Sequence, residues 1–450
     1  MAKAETLRRA PLVCVLHALA AGDVGSEALT AACLSAIERD AALHAWTHVD
    51  ADGALAAACA SDARRAAGQP LGRLDGVPLA IKDNLDVAGL PTTLGLPARR
   101  ARVAQEDAFT VARLRGAGAV LLGKTGMDEL GLGVSGRNPH FGDVGNPALP
   151  DRVAGGSSAG AAAAVAAGHA IAALCSDTLG SARIPAAFCG VVALKPTFAE
   201  LSSRGLGAAL RRLDCPSLIA RDVQDLAPLL QTLAGYDAAD PRSRRRRVPL
   251  APPDWAPGTL RAGVVSDLAA LGASQDVVRG FDAAVQRAAP VFGETRPVAL
   301  DIAALDVAAT RRAALLLMEA EILAAHGADI AGASQRVLEM LAFAQKKSAS
   351  DFARADRRLD AHVVRVRRMF EDVDVLLLPT VPVPPPLRAA AEPANLADFT
   401  ALASLAGCPA LSLPLPDGIG LQLVGLPGSD LRLLELGEVL RAVIEAQVET

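Results

Sequence analysis

Apolar residues recur at three-and-four spacing through SEALTAACLSAIERDAAL and ADGALAAACASDARRAAG, so residues 1 to 70 read as amphipathic helices that must each bury one face. The period then changes. LDGVPLAIKDN is a short apolar run ending at Lys82 and bounded by Gly and Asn, the pattern of a buried strand. DAFTVARLRGAG returns to helical spacing, and AVLLG is a second buried strand. A loop rich in Gly, Asn and Pro occupies 131 to 156, followed by a small-residue helix from about 157 to 167 and the strand AIAALC. Strands alternating with helices predict α/β architecture.

From 219 to 255 the chain reads as loop, and DPRSRRRRVPLAPPDWAPG, with its arginines and prolines, reads as a solvated surface linker over 236–258. RAGVVS is a further strand. Long helices are expected at about 275 to 290, 302 to 326 and 349 to 372, and VDVLLLPT and CPALSLPLP supply late strands. No internal repeat is visible. The expected organisation is one domain over 1–450: an N-terminal helical segment (1–65), a central core (65–215), the linker, and the rest of the sheet with the pocket region (259–450).

Composition narrows the class of function. A hydrophobic share of 51% supplies ample core, and an aromatic share of only 3% suits alanine-rich helices packed closely on a sheet. Net charge is −4 with a pI near 6.0, so no overall positive field gathers nucleic acid or an anionic membrane. The cysteines at 14, 33, 59, 175, 189, 215 and 408 are scattered and form no CxxC pair, which argues against a disulfide framework or a thiolate metal site and fits a reducing cytoplasm. MAKAETLRRAPLVCVLHALAAG reads as an ordinary first helix rather than a signal peptide, and the apolar run of 159 to 175 is too short and too weakly hydrophobic to span a bilayer.

Two short motifs compete for the chemistry. Gly118 to Thr125, GAVLLGKT, matches the phosphate-loop spelling, but Ala-Val-Leu-Leu reads as buried strand and leaves no loop to wrap a phosphate. Gly156 to Gly160, GSSAG, matches a nucleophile elbow centred on Ser158, but VGNPALPDRVA before it carries two prolines instead of a strand, and His169, His326 and His362 all fall in regular segments where a structural role is the simpler reading.

A third set extends over many segments. GVPLAIKDN, GKTGMDELGLG, GGSSAGAAAAVAAG, SDTLGSARIPAAFCGVVALKPT and the late LAGCPALSLP and GLQLVG follow one another as in amidase signature enzymes, with similar spacing, densely over 65 to 215 and loosely elsewhere. The chain therefore resembles that family. The resemblance implies a large mixed β-sheet covered by helices on both faces, and a seryl amidohydrolase: Ser181 as nucleophile, Ser157 as relay in a cis peptide, and Lys82 as base. It implies an oxyanion hole from the N–H groups of Thr178, Leu179, Gly180 and Ser181, with Ser158, Asp177 and Arg183 in support, Ser158 either capping its helix or bonding the lysine. Met127, Gly131, Leu132, Gly133 and Val134 are expected to shape the substrate pocket. The substrate implied is a small amide, urea-like and carbamoyl compounds included. No metal or cofactor is required, and a homodimer is the family-level expectation.

The residue types suit that chemistry. A serine needs a positioned base, and lysine acts as one only when its amine is neutral, which burial after the Val77 to Ile81 run promotes. Departures from the family pattern are Ala159 and Ala161 in GGSSAGA, Leu179 before the Gly180-Ser181 pair, and Gly126 in KTGMDE. Two further readings stay open: the amidase component of a tRNA-dependent amidotransferase, although the YDGxRYG stretch such subunits often carry has no counterpart beside the lone Tyr236, and a catalytically silent member used for binding.

Overall fold

Successive side chains of a strand face opposite ways, and in the central strands of this protein both sides are buried. The computed structural model describes residues 2–207, 209–245, 255–256, 258–298 and 306–446. Its strands are β1 (Trp46–Val49), β2 (Pro78–Lys82), β3 (Val120–Thr125), β4 (Ala172–Asp177), β5 (Val192–Lys195), β6 (Cys215–Ala220), β7 (Arg261–Val265), β8 (Glu294–Val298), β9 (Val375–Pro379), β10 (Ala410–Pro414) and β11 (Gly420–Gly425). They form one mixed 11-stranded sheet in the order β1-β3-β2-β4-β6-β5-β10-β11-β9-β7-β8. Leu79, Ile81, Leu174 and Leu218 enter one core. Their neighbours Ala80, Ala173, Cys175 and Ile219 enter another, together with the alanines of the helix Ala159–Ala167.

That second face is built from small side chains, which lets the helix approach the sheet closely. The Gly160 N–H donates to the Gly126 carbonyl at 3.0 Å. A Cβ on Gly160 would lie 2.3 Å from the Ala45 oxygen and 2.4 Å from the Gly126 nitrogen, and one on Gly126 would itself be crowded by His44 and Val144. Gly126 thus belongs to a tight helix–strand junction.

The strands LDGVPLAIKDN, AVLLG, AIAALC, RAGVVS, VDVLLLPT and CPALSLPLP and the helices Ser26–Arg39, Ala51–Ala66, Phe109–Gly116, Gln275–Ala288, Val307–His326 and Ala349–Met369 lie where the pattern predicts them, within a few residues. Other segments differ. The first helix is two, Ala2–Leu7 and Leu12–Ala20, because Pro11 cannot continue the first and instead precedes the second. β1 interrupts the N-terminal helices as a half-buried edge strand whose four residues carry no alternation to read. The region expected to be loop from 219 holds the helix Leu226–Leu233, where Pro228 falls in the first turn and is tolerated. The helix Gln335–Gln345 and the exposed parallel strand β8 were not expected. Of the 236–258 linker, residues 246–254 and 257 lie outside the described residues, as do Arg246 and Arg247 of the arginine run. Among the described residues no helix is long and apolar enough to cross a membrane.

The Gly160 junction yields a direct test. Gly160→Val should lower unfolding free energy by about 1–3 kcal/mol, the cost of overpacking a close contact, read as a lower denaturant midpoint with unchanged slope.

Candidate functional site

β3, β2 and β4 run parallel and end at Thr125, Lys82 and Asp177, which brings three polar C-terminal ends to one edge of the sheet. Open α/β sheets hold ligands beyond such ends. Lys82 is buried there, its Nζ 2.8 Å from Ser157 Oγ and 3.1 Å from Ser176 Oγ, which also accepts from Asn84 Nδ2 at 2.9 Å. Its nearest hydrogen-bond partners are hydroxyls rather than carboxylates, so burial dominates and lowers its pKa to about 8.

The turn ahead of the Ala159–Ala167 helix presents Ser157, and the Gly156–Ser157 peptide is cis. Ser158 occupies the residue before that helix but neither caps it nor reaches the lysine: its Oγ donates to the Ser176 carbonyl at 3.0 Å. Its N–H donates to the Ser181 carbonyl at 3.0 Å, tying the turn to the loop after β4. The expectation for Ser158 is corrected accordingly.

Asp177 organises that loop. Its Oδ1 accepts from the Gly180 N–H at 2.7 Å and Arg183 Nη2 at 2.8 Å, and its Oδ2 from the Ala182 N–H at 3.2 Å and Arg183 Nε at 2.8 Å. Burial raises the carboxyl's pKa, but the adjoining guanidinium outweighs it and holds Asp177 below its ordinary value. Gly180 adopts φ 134°, and a Cβ there would lie 2.1 Å from Thr400 Oγ1, so only glycine fits. Because its N–H is engaged by Asp177, Gly180 is not a free donor, a second correction. Among the described residues the N–H groups of Thr178, Leu179 and Ser181, and Ser181 Oγ, make no hydrogen bond to protein.

Thr178, Leu179 and Ser181 line a cavity of about 190 Å³. Gly131, Leu132, Gly133 and Val134 line it as well, together with Arg311, Arg336, Glu392 and apolar residues. Met127, expected in the pocket, does not line it: its side chain is buried, and its carbonyl accepts from Asn138 Nδ2 at 2.9 Å. Two buried carboxylates flank the site. Burial, then the charge of Glu392, raises Asp128 to about 7; its oxygens accept from the Gly136 N–H and leave no room for a side chain on Gly133 or Gly156. Burial likewise raises Asp214 to about 6, although it accepts from Thr178 Oγ1 at 2.6 Å.

The competing motifs resolve physically. Lys124 of the phosphate-loop spelling is buried in β3, 3.2 Å from Asp83 and donating to the Pro91 carbonyl at 2.9 Å. His169 lies between Trp46 Nε1 and Asp40, not beside Ser158. Ser176, Asn84, Asp128 and Asp214 were missed although three of them lie within the segments SDTLGS, IKDN and GMDE. Nothing local marks a hydroxyl or carboxylate as facing a lysine 94 positions away, the separation of Lys82 and Ser176. Arg311 falls in the stretch expected to be helix, where charge reads as a solvated face, and Arg336 in a stretch for which no element was expected.

Residues 28–434 match the family described as Amidase. A curated relative, a glutamyl-tRNA(Gln) amidotransferase subunit from Acidothermus cellulolyticus, is 36% identical over 94% of this chain and 92% of its own. Among solved structures, a protein from a vestigial complex that reveals the evolutionary origins of an s-triazine catabolic enzyme superposes with a TM-score of 0.89 at 30% identity, over 96% of this chain and 98% of that one. An amidase crystal structure gives 0.85 at 30% identity, over 97% and 100%.

Removing one member of the buried Asp177–Arg183 pair leaves the other uncompensated. Arg183→Met should therefore cost about 3–5 kcal/mol of stability, measured by chemical denaturation.

Proposed function

The chain belongs to the amidase signature family, and from that premise we propose that it cleaves a carbon–nitrogen bond of a small amide through an acyl-enzyme on Ser181. The observation that carries this reading is the 2.8 Å approach of a buried Lys82 Nζ to Ser157 Oγ, beside a cavity lined by Ser181 and unpaired backbone donors.

Neutral Lys82 takes the proton of Ser157, Ser157 takes that of Ser181, and Ser181 Oγ attacks the amide carbonyl. The N–H groups of Thr178, Leu179 and Ser181 meet the developing oxyanion, each well-placed donor contributing about 3–4 kcal/mol to the transition state. The proton returns through Ser157 to the departing nitrogen as the C–N bond breaks. Water then attacks the ester along the same relay and releases the acid. With a lysine pKa of about 8, about one-tenth of the base is neutral at pH 7. Leu179 lines the cavity, in keeping with a pocket narrowed at that position.

A second reading is the amidase component of a tRNA-dependent amidotransferase. The name of the Acidothermus relative supports it more directly than it supports a free-standing hydrolase. Chemistry to the acyl-enzyme is shared; the readings part over whether the nitrogen escapes as ammonia or passes to a partner. Turnover of simple amides by the isolated chain favours the first. Labelling of Ser181 without turnover until partner subunits are supplied favours the second.

Two outcomes test the site. A fluorophosphonate should modify Ser181, and Ser181→Ala should abolish both labelling and turnover with the fold retained; modification at Ser158 instead would replace this assignment, and no modification would favour the silent reading. The base must be deprotonated, so log kcat/KM should climb with unit slope as pH rises toward about 8 and level off above it, and Lys82→Ala should remove nearly all activity.

A further inference from the structure

The helix Val307–His326 holds a carboxyl that the chemistry at Ser181 does not use. Glu319 is only 6% exposed, its Oε2 is shut away without a hydrogen-bond partner, and among the described residues no donor or cation meets the other oxygen. Burial alone raises its pKa, to about 7. A buried polar group left in this way costs stability, and a donor brought by a ligand would remove that cost.

Glu319 lines a groove of about 670 Å³, which the helices Gln335–Gln345 and Ala349–Met369 help to enclose. Leu315 is the one residue this groove shares with the cavity beside Ser181, so the two are separate recesses on one helix. Two of the cations lining the groove are already answered: Arg354 donates to Asp351 at 2.7 Å and Arg358 to Asp306 at 2.5 Å. Two are not. Arg312 makes no side-chain hydrogen bond or ion pair among the described residues, and Lys347 meets no carboxylate, its Nζ lying 4.4 Å over the ring of Phe343. That ring is 50% exposed and joins Leu315 and Leu316 in an apolar wall. The groove therefore offers an unpaired acid, a pair of unanswered cations and apolar surface between them, the complement of a zwitterion with an apolar body. Arg312 and Glu319 stand seven residues apart on the helix, so their Cα atoms are separated by about 10 Å. The termini of an extended dipeptide stand about 7 Å apart, a span that the reach of the two side chains completes.

We propose that this groove is a second binding site, taking a short apolar peptide whose ammonium end pairs with Glu319 and whose carboxylate end is met by Arg312 and Lys347. An ammonium beside Glu319 supplies the missing donors and favours the ionised carboxylate. The site stands whether or not Ser181 is the nucleophile.

Binding is measured by isothermal titration calorimetry on the full chain carrying Ser181→Ala, so that no probe is consumed. Leucyl-leucine should bind. N-acetyl-leucyl-leucine, which lacks the ammonium, and leucyl-leucinol, which lacks the carboxylate, should each bind about tenfold more weakly, the loss of one charge-assisted hydrogen bond. Glu319→Gln should weaken leucyl-leucine about tenfold and leave the N-acetyl compound unchanged, whereas Arg312→Gln combined with Lys347→Gln should weaken leucyl-leucine and leave leucyl-leucinol unchanged. None of these three residues lines the cavity beside Ser181, so a peptide seated there would ignore both changes. The denaturant midpoint of each variant separates lost binding from lost fold. No binding of leucyl-leucine, equal binding of the three compounds, or affinities that survive the substitutions overturns the proposal. Tighter binding of the N-acetyl compound also overturns it and marks the groove as a site for amphipathic anions.

Discussion

Asp177 carries its charge at the buried end of β4, and keeping it there requires the donors that converge on it. Backbone N–H groups of Gly180 and Ala182 and the guanidinium of Arg183 all turn inward to meet it. Desolvating such a pair is costly, and the cost is offset only because nearly every lone pair and donor is used. Arg183 also donates to the Thr400 carbonyl at 2.9 Å, to Ser404 Oγ at 2.7 Å and to Gln422. The loop between these anchors has little freedom. The Gly180 N–H is drawn to Asp177, while those of its neighbours Leu179 and Ser181, residues that line the cavity, stay without a protein acceptor among the described residues.

The electrostatics around Lys82 follow from the same burial. Anionic carboxylates close to a lysine favour its protonated form. Asp128 and Asp214 are both raised by burial, to about 7 and about 6, and their charges push the Lys82 pKa upward, but burial of the lysine is the larger effect and keeps it near 8. Asp177 is the exception, its charge answered by Arg183. Hydroxyls, not carboxylates, hold Lys82 in place.

Much of this was legible in the chain. The apolar runs ending at Lys82 and after Ala170 announce buried parallel strands, and the small-residue helix after Ser158 announces close packing on the sheet. Lys82, Ser157 and Ser181 could be named from their segments, and the structure brings them to one end of β2 and β4. What escaped is of two kinds. Short elements, such as β1 and the helix Leu226–Leu233, lack the length to show a period. Pairings across the sequence left no local trace: Gly180 looked like a free donor until Asp177 was seen to claim it, and Met127 looked like pocket lining until its side chain proved buried. Gly126, met first as a departure from the family pattern, proved to be the space a helix needs.

The sheet order sets β10 beside β5 although β10 begins at Ala410 and β5 ends at Lys195. The anchors of Arg183 likewise lie 217, 221 and 239 positions downstream. Such non-local closures are entropically late events in folding. A chain emerging from its N-terminus displays the lysine and serines of the site long before it displays the residues that rigidify them. The rigid form of this loop is therefore withheld from the growing polypeptide until its last third has been made and has docked.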